Sequence, residues 1–177
     1  IMKNKHEVAI ILAARSGSKR LPNKHFLRIN SKLRVIDLCI LRLKKAKLVN
    51  KIFLCTTKKI EDDKFKNVCK QHKIKLFRGS SNNVAKRIID CAKQNFIETI
   101  VRITADCPLV DPKLIDECIK LHLNKKSDYT SNTLKLTFPD GLDVEVIQLN
   151  TLIKSQTISK SKYNKEHVTF YIRKSKL

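Results

Sequence analysis

Four cations lie in one short segment near the start of the sequence, where their charges could hold a polyphosphate group. The segment is IILAARSGSKRLPNK, residues 10–24, and its cations are Arg15, Lys19, Arg20 and Lys24. Gly17 is expected to adopt a backbone conformation that residues with a Cβ atom rarely adopt, so that the amides of residues 16–19 point inward. A solvated surface loop in a lysine-rich chain is the alternative. The spacing fits neither a P-loop nor the glycine-rich dinucleotide fingerprint.

A carboxylate about a hundred positions later is the second candidate for chemistry. Asp106 stands in RITADCPLVDP, residues 102–112, directly after an apolar strand and before a proline that fixes the turn. A carboxylate in this position could hold a divalent cation at the same edge of a sheet as the cationic loop. A helix cap or a turn acceptor is the alternative role for Asp106.

Alternating strands and helices are predicted to position these residues. Short apolar runs predict strands at residues 8–13, 51–56, 74–77 and 99–104. Helical spacing of apolar residues predicts helices at 35–47, 61–72, 84–96 and 112–123, with Phe96 on the buried side of the third. This order predicts an α/β fold: a mostly parallel sheet with helices on both faces and ligands at the carboxyl ends of its strands.

The last third of the sequence has a different pattern. Strands are predicted at residues 129–133 and 142–149, with a turn signal at Pro139-Asp140-Gly141 between them. A polar stretch follows at 154–165, and an amphipathic segment covers 166–173.

Length and composition indicate a globular protein with one domain over residues 1–177. The chain is 42% hydrophobic and 31% charged, and no apolar stretch approaches the roughly 20 residues of a membrane helix. The formal net charge of +22 comes from lysines in almost every segment, which indicates a bias of the whole chain more than a basic patch. A specific nucleic-acid partner is therefore not expected, although a polyanion-binding module stays the competing function class.

The cysteines predict neither a metal site nor a disulfide framework. Six cysteines are separated by 11 or more residues, with no CxxC pair, and most fall on apolar faces. Small buried thiols in a reducing, cytoplasmic compartment are the expectation. The start KNKHEVAIILAA has basic residues before an apolar run, as signal peptides do, but a core strand is the preferred interpretation.

Several motifs in order resemble one family of enzymes. AARSGSKRLPNK, EDD at 61–63, FRGS at 77–80, RITADCPLVDP, SNT at 131–133, PDGLDVEV at 139–146 and EHVTFYI at 166–172 resemble the SpsF-type cytidylyltransferases of surface-polysaccharide synthesis. These are relatives of the CMP-Kdo and CMP-sialic acid synthetases. The resemblance implies a Rossmann-like nucleotidyltransferase fold, CTP and Mg²⁺ as partners, and transfer of CMP to a sugar acid or related sugar with release of pyrophosphate. A homodimer is a further possibility that the resemblance implies for this protein.

The resemblance assigns roles to individual residues. Arg15, Lys24 and Asp106 match the catalytic set, with Asp106 as the magnesium ligand. The matching nucleotide-binding positions are Ala13, Ala14, Arg15, Ser16, Gly17, Ser18, Arg20, Lys24 and Arg102. Asp140, Asp143 and Glu145 would lie towards the sugar site, and the alternative for these three is a turn followed by the exposed face of a strand.

The sequence departs from the family pattern at a few positions. Ala105 stands where glycine usually precedes the aspartate, which adds a methyl group where backbone and nucleotide come close, and Phe170 replaces a proline. Relatives continue to a V-D-x-x-E-D stretch that supplies a second metal ligand, so the chain is expected to be truncated at its C-terminus. Asp143 is the candidate substitute for that ligand, and a nucleotide-binding but inactive relative is the alternative.

Overall fold

Strand β1 lies inside a six-stranded sheet whose order is β3-β2-β1-β4-β6-β5. The structure is a computed structural model that describes residues 7–18, 21–135 and 137–175. The strands are β1 Val8–Ala13, β2 Lys51–Thr57, β3 Lys75–Gly79, β4 Thr99–Thr104, β5 Tyr129–Ser131 and β6 Glu145–Gln148. β1 to β4 pair in parallel, whereas β6 runs antiparallel to both of its neighbours. The predicted, mostly parallel α/β sheet is confirmed.

Helices cover both faces of the sheet, as predicted. They are α1 Val35–Leu43, α2 Lys64–His72, α3 Val84–Gln94, α4 Pro112–Lys125, α5 Leu149–Ile158, α6 Lys162–His167 and α7 Phe170–Lys174. The apolar residues of α1, α2 and α4 pack with Ile10 and Leu12 of β1 in one core cluster. Those of α3, α5 and α7 pack with Ala9 and Ile11 in the other, because successive side chains of a strand point to opposite faces.

Two of these helices begin at residues whose side chains cap them. The Asn83 side chain accepts a hydrogen bond from the Lys86 amide and begins α3. The Asp111 side chain accepts from the Lys113 amide and begins α4, with Pro112 at the first helical position. Each cap gives one otherwise unpaired helical N–H an acceptor.

Phe96 corrects the prediction for the end of α3. The helix ends at Gln94, and Phe96 lies beyond it with a φ of 56° and 84% of its surface exposed. The Ile97 amide donates to the Ala92 carbonyl at 2.9 Å, which closes the helix in a Schellman arrangement. Ile97 therefore takes the buried position that the helical spacing assigned to Phe96.

The polar stretch at 154–165, for which no element was predicted, is mostly helical. α5 extends to Ile158, and α6 begins at Lys162 with the Ser161 side chain as its cap. The amphipathic segment at 166–173 is not one element, since Val168 adopts a φ of 50° and divides α6 from α7. Ser155 and Asn164 are buried and hydrogen-bonded to each other, so polar residues in this stretch face the interior.

The cysteines lie inside the fold, as predicted. All six cysteines are free and buried. In the part of the chain that the structure describes, every helix is too short or too polar to cross a bilayer.

A buried carboxylate ties α1 to α2. Asp37 accepts a hydrogen bond from the Arg34 amide at 3.0 Å, two from the Arg34 guanidinium, and one from His72 at the end of α2 at 2.8 Å. Burial alone would raise the pKa of Asp37, but the hydrogen bonds from Arg34 and His72 outweigh it and lower that pKa to about 2. The Asp37 carboxylate is thus both the cap of α1 and a bridge between two helices.

Replacing this carboxylate by an amide is expected to destabilise the protein in a pH-dependent way. A fall in the folded-state pKa from 3.8 to about 2 corresponds to about 2 kcal/mol of stability, present above pH 4 and lost as the pH falls towards 2. Asp37→Asn should therefore lose about 2 kcal/mol at pH 7, and its difference from the wild type should shrink below pH 4. Urea unfolding across this pH range measures both effects. Asp90→Asn, which breaks an exposed pair with Lys86, should cost less than about 0.5 kcal/mol; an equal loss in both variants would contradict the assignment.

Candidate functional site

The pairing of β1 with β4 places the cationic loop beside Asp106. Ala13, the last residue of β1, pairs with Thr104, the last residue of β4, and the Ala105 amide continues the ladder to the Ala13 carbonyl. The chain therefore leaves both strands at the same edge of the sheet. Because β6 is antiparallel, its first residue, Glu145, also lies at this edge.

Lys24 and Asp106 form an ion pair across this edge, although 82 positions separate them in the sequence. Lys24 begins a short 3-10 helix, Lys24–Phe26, and the next residue, His25, is buried with Nδ1 3.2 Å from the Ala105 carbonyl oxygen. Burial would raise the pKa of Asp106, but the hydrogen bond and charge of Lys24 lower it. The predicted meeting of the cationic loop with Asp106 is confirmed, and the two groups neutralise each other.

A buried aspartate, which sequence reasoning did not assign, holds the first part of the loop. Asp62 accepts a hydrogen bond from the Ser16 amide at 2.7 Å and another from the Thr57 hydroxyl at the end of β2. The Ser16 hydroxyl donates to the Glu61 carbonyl at 3.1 Å. Burial opposes ionisation of Asp62, but the hydrogen bonds from Thr57 and Ser16 lower its pKa. This carboxylate anchors the loop to the end of the neighbouring strand.

The backbone expectation for the loop is wrong at two residues. The Ser16 amide points at Asp62 instead of into the site, and Gly17 does not adopt a left-handed φ; among the glycines of the chain only Gly141 does. A Cβ added at Gly17 would approach the Glu61 carboxylate to 3.4 Å, which is ordinary contact. The Ser16 amide, which was predicted to face a phosphate, therefore donates to Asp62 instead.

A cavity of about 540 Å³ opens between the loop and the end of β4, and we call it the first cavity. Its lining consists of Ala13, Ala14, Arg15, Ser18, Lys24, His25, Val84, Arg87, Arg102, Thr104, Asp106, Glu166 and His167. Seven of the predicted site residues belong to this lining. Ser16 and Gly17 do not line it, and Arg20 lies outside the described residues.

A second cavity, of about 490 Å³, adjoins the first. The two share Arg102, Thr104 and His167, and the second is further lined by Thr133, Asp143, Glu145, Tyr163, Thr169, Phe170, Arg173 and Lys174. Of the three carboxylates predicted near a sugar, Asp143 and Glu145 line this cavity. Asp140 does not, and lies on the exposed turn before it.

Glu145 connects three other segments to β6 and is only 5% exposed. It lies opposite Arg102 in the register of β4 and β6, and the two side chains form an ion pair. Its other oxygen accepts hydrogen bonds from Tyr129 and Thr169, each at 2.6 Å. Burial would raise the pKa of Glu145, but the Arg102 charge and these hydrogen bonds lower it. Glu145 therefore fixes Arg102 at the boundary between the cavities.

Several lining residues have no role in the sequence analysis. Glu166 pairs with Arg15 at 3.5 Å, and the ring of His167 stacks on Tyr163 with centroids 4.1 Å apart. Arg87 lies on α3, which follows the FRGS motif. The motifs EHVTFYI and FRGS marked these segments in the sequence, but spacing alone gave no reason to choose these side chains.

Two departures from the family pattern are accommodated by packing. The Ala105 side chain belongs to the core formed with α1, α2 and α4 and does not line either cavity. The Ala105 methyl group therefore does not obstruct the space where the backbone and a nucleotide were expected to come close. Phe170 packs edge-on against Tyr163 at 4.6 Å and contributes to the wall of the second cavity.

The carboxylates at this edge suit a magnesium ion better than a zinc ion. Within the described ranges no three His, Cys, Asp or Glu side chains are grouped as a metal centre would require. Burial raises the pKa of the Cys107 thiol, the hydrogen bond with Thr104 lowers it, the charges of Asp106 and Asp143 raise it, and the charge of Lys24 lowers it. Mg²⁺ takes one or two carboxylates and completes its shell with water and phosphate oxygens. Asp106 and Asp143 could supply that number.

Both anions and cations lie around Asp143. Burial raises its pKa, the charges of Asp140 and Glu145 raise it further, and the charges of Arg173 and Arg102 oppose this rise. The hydrogen bonds and ion pairs of the described residues include none to its side chain. A cation near Asp143 would relieve this repulsion, which is consistent with a metal ligand.

Comparison with known proteins identifies relatives along nearly the whole chain. Residues 9–177 match the sequence profile of the family described as Cytidylyltransferase. The chain is 33% identical to the spore coat polysaccharide biosynthesis protein SpsF of Bacillus subtilis over 174 residues, which cover 95% of this chain and 70% of that protein. The chain spans 65% and 70% of the lengths of the two curated relatives that it matches.

Solved structures share the fold. A cytidylyltransferase from Leptospira borgpetersenii is 33% identical and superimposes with a TM-score of 0.92, over 97% of this chain and 73% of that one. A CMP:2-keto-3-deoxy-manno-octonic acid synthetase, solved with CTP, is 13% identical and has a TM-score of 0.72, over 94% of this chain and 84% of that one. At that identity the second likeness concerns the fold alone, and the fold is the predicted Rossmann-like nucleotidyltransferase fold.

Removing the Asp62 carboxylate is expected to release the loop. Asp62→Ala leaves the Ser16 amide and the Thr57 hydroxyl without acceptors, which should cost about 2 to 4 kcal/mol of stability. Hydrogen exchange of the Ser16 amide should also accelerate. Asp63→Asn is the matched control, since this neighbour forms exposed ion pairs with Lys66 and Arg78. If the Ser16 amide exchanges at the same rate in Asp62→Ala and in the wild type, Asp62 does not anchor the loop.

Proposed function

The chain belongs to the cytidylyltransferase family, and from this premise we propose that it transfers CMP from CTP to a hydroxyl of a sugar acid or related sugar, releasing pyrophosphate. One observation carries the proposal: Arg15, Lys24 and Asp106 converge on a single cavity from two distant segments. A second cavity of similar size lies beside it, with three residues in common. Two joined cavities suit a reaction between two substrates.

The first cavity is assigned to CTP. Arg15 and Lys24 bring positive charge to the space in front of Asp106, where the triphosphate would lie. Both cations are paired with carboxylates in the free protein, Arg15 with Glu166 and Lys24 with Asp106. A triphosphate would take over these cations, so its binding exchanges one set of ion pairs for another. Exposed pairs of this kind are worth little, which makes the exchange inexpensive.

The reaction is an in-line displacement at the α-phosphorus of CTP. The sugar hydroxyl oxygen forms a bond to that phosphorus, the bond to the pyrophosphate oxygen breaks, and the hydroxyl proton is released. Negative charge grows on the pyrophosphate as it leaves, and Arg15 and Lys24 are already in place to stabilise it. Holding both substrates in line could supply roughly 7 to 11 kcal/mol of the barrier.

Asp106 would hold a magnesium ion, with Asp143 as the second ligand. When bound, the ion would neutralise charge on the phosphate oxygens of the nucleotide. Asp106 is ionised and half-exposed at the first cavity, and Asp143 lines the second, so the two carboxylates lie on either side of the boundary. Lys24 keeps Asp106 ionised and in place before the nucleotide arrives.

The second cavity is assigned to the sugar. Arg173 and Lys174 supply positive charge there, and Tyr163 and Phe170 supply aromatic surface. This lining suits an anionic sugar with one less polar face. The polysaccharide function in the printed name of SpsF supports a product that enters surface-polysaccharide synthesis.

Pyrophosphate release from CTP and Mg²⁺ with a panel of sugar acids tests the proposed activity. Arg15→Ala and Lys24→Ala should each weaken CTP binding by about 10- to 100-fold, because each removes a charge-assisted contact to phosphate. Isothermal titration calorimetry with CTP measures that loss, and circular dichroism confirms folding. Lys125→Ala, at the far end of α4, is the control and should bind CTP like the wild type.

The outcomes separate the competing functions. CTP binding without pyrophosphate release on any sugar would indicate an inactive relative. Unchanged CTP affinity in both variants would remove the assignment of the first cavity. A clear sequence preference for RNA, beyond the salt dependence expected of a net charge of +22, would favour a nucleic-acid-binding function.

The magnesium assignment has its own test. Asp106→Asn and Asp143→Asn should each raise the Mg²⁺ concentration that gives half-maximal pyrophosphate release by about tenfold or more, because each removes a charged oxygen ligand. Titration of Mn²⁺ into the CTP complex, followed by electron paramagnetic resonance, gives a measure that does not depend on turnover. Asp140→Asn on the exposed turn should change neither quantity by more than about twofold. A normal Mn²⁺ affinity in Asp106→Asn would overturn the assignment.

A further inference from the structure

Three residues line both cavities, and a reaction between two bound substrates would take place beside them. They are Arg102, Thr104 and His167. Of these three side chains only the imidazole can accept a proton near neutral pH, since a guanidinium stays protonated and a threonine hydroxyl is not a base. His167 is also exposed to solvent, so a proton that it accepts can leave the site.

The ring of His167 is held in place without the use of its nitrogens. Within the described part of the chain, neither ring nitrogen has a hydrogen-bond partner. The ring packs against Tyr163 with centroids 4.1 Å apart, and Tyr163 in turn meets the edge of Phe170 at 4.6 Å. Aromatic contacts of this kind orient a ring through its faces and edges. The nitrogens therefore stay available to a substrate hydroxyl.

The carboxylates of the site are less suited to accept that proton. Four carboxylates line the two cavities, and three of them, Asp106, Glu145 and Glu166, form ion pairs with cations. The fourth, Asp143, is the proposed second magnesium ligand and does not line the first cavity. Among the described residues, His167 is therefore the group at the boundary that is left to act as a base.

A strained backbone turn presents His167 to the cavities. Val168 has a φ of 50° and a ψ of −60°, and the Thr169 amide donates to the His167 carbonyl at 2.5 Å, which together form a γ-turn of the rare, strained kind. A positive φ is an outlier for a β-branched residue. The Val168 carbonyl accepts a hydrogen bond from Gln156 at 3.2 Å, and the Thr169 hydroxyl donates to Glu145 at 2.6 Å. Strain that surrounding contacts enforce in this way is concentrated at functional sites.

We propose that His167 is the general base of the transfer; this rests on the proposed function. As the sugar hydroxyl oxygen bonds to the α-phosphorus of CTP, the bond from that phosphorus to the pyrophosphate oxygen breaks, and pyrophosphate leaves with the electron pair. The hydroxyl proton passes to a ring nitrogen of His167. The imidazolium then releases this proton to solvent. A positioned general base accelerates such a step by about 100- to 10,000-fold.

Kinetics of His167→Gln and His167→Ala test the inference, with CTP, Mg²⁺ and the sugar acid of the panel from which the wild type releases pyrophosphate fastest. In both variants kcat should fall by about 100-fold or more, because the base is lost. CTP affinity, measured by calorimetry, should stay within about threefold of the wild type, because the cations of the loop are intact. Lys162→Ala is the matched control, since this exposed residue begins α6 and lines neither cavity, and it should change neither quantity.

Chemical rescue separates a lost base from a lost contact. Added imidazole should raise kcat of His167→Ala by about tenfold or more, and more basic substituted imidazoles should raise it further. His167→Gln keeps most of the side-chain volume, so it should not be rescued, and its kcat tests the inference even if His167→Ala fails to fold.

Two results would overturn the inference. One is a kcat of His167→Gln within about threefold of the wild type, and the other is a loss in folded His167→Ala that no imidazole restores. Failure of the wild type to bind CTP or to release pyrophosphate would instead overturn the proposed function.

Discussion

The parallel pairing of β1 with β4 is the constraint on which the rest of the site depends. Because Ala13 and Thr104 end these strands side by side, the chain turns out of the sheet twice at the same place. Lys24 can then reach Asp106, and the space between the two exits becomes the first cavity. A shift of this pairing by one residue would turn each side chain of a strand to the opposite face and separate these groups.

Charge at the site is balanced before a ligand arrives. Lys24 pairs with Asp106, Arg102 with Glu145 and Arg15 with Glu166, although the chain as a whole carries a net charge of +22. The Lys24 and Arg15 pairs are exposed, so they hold these side chains in position at small net energy. Arg87 and Arg173 instead donate to main-chain carbonyls, those of Ser80 and Thr133.

The last third of the chain completes the site from the outside. Thr169 lies between α6 and α7 and donates to Glu145, while Glu166 reaches Arg15 on the loop after β1. This segment thereby supplies walls to both cavities and couples them to the central strands. The positive φ of Val168 divides α6 from α7, and residues of both helices line the second cavity.

The sequence by itself determined the alternating strands and helices, the parallel sheet and the meeting of the cationic loop with Asp106. Apolar periodicity and caps such as Asn83 and Asp111 act within a few residues, so they can be recognised in one segment at a time. The resemblance to cytidylyltransferases added the roles that we propose for Arg15, Lys24 and Asp106. Only the tertiary structure decided how these side chains are paired. Asp62 as the anchor of the loop, Glu145 as the partner of Arg102, and the position of His167 between the cavities depend on contacts between segments distant in sequence, and no local pattern encodes which donor meets which acceptor.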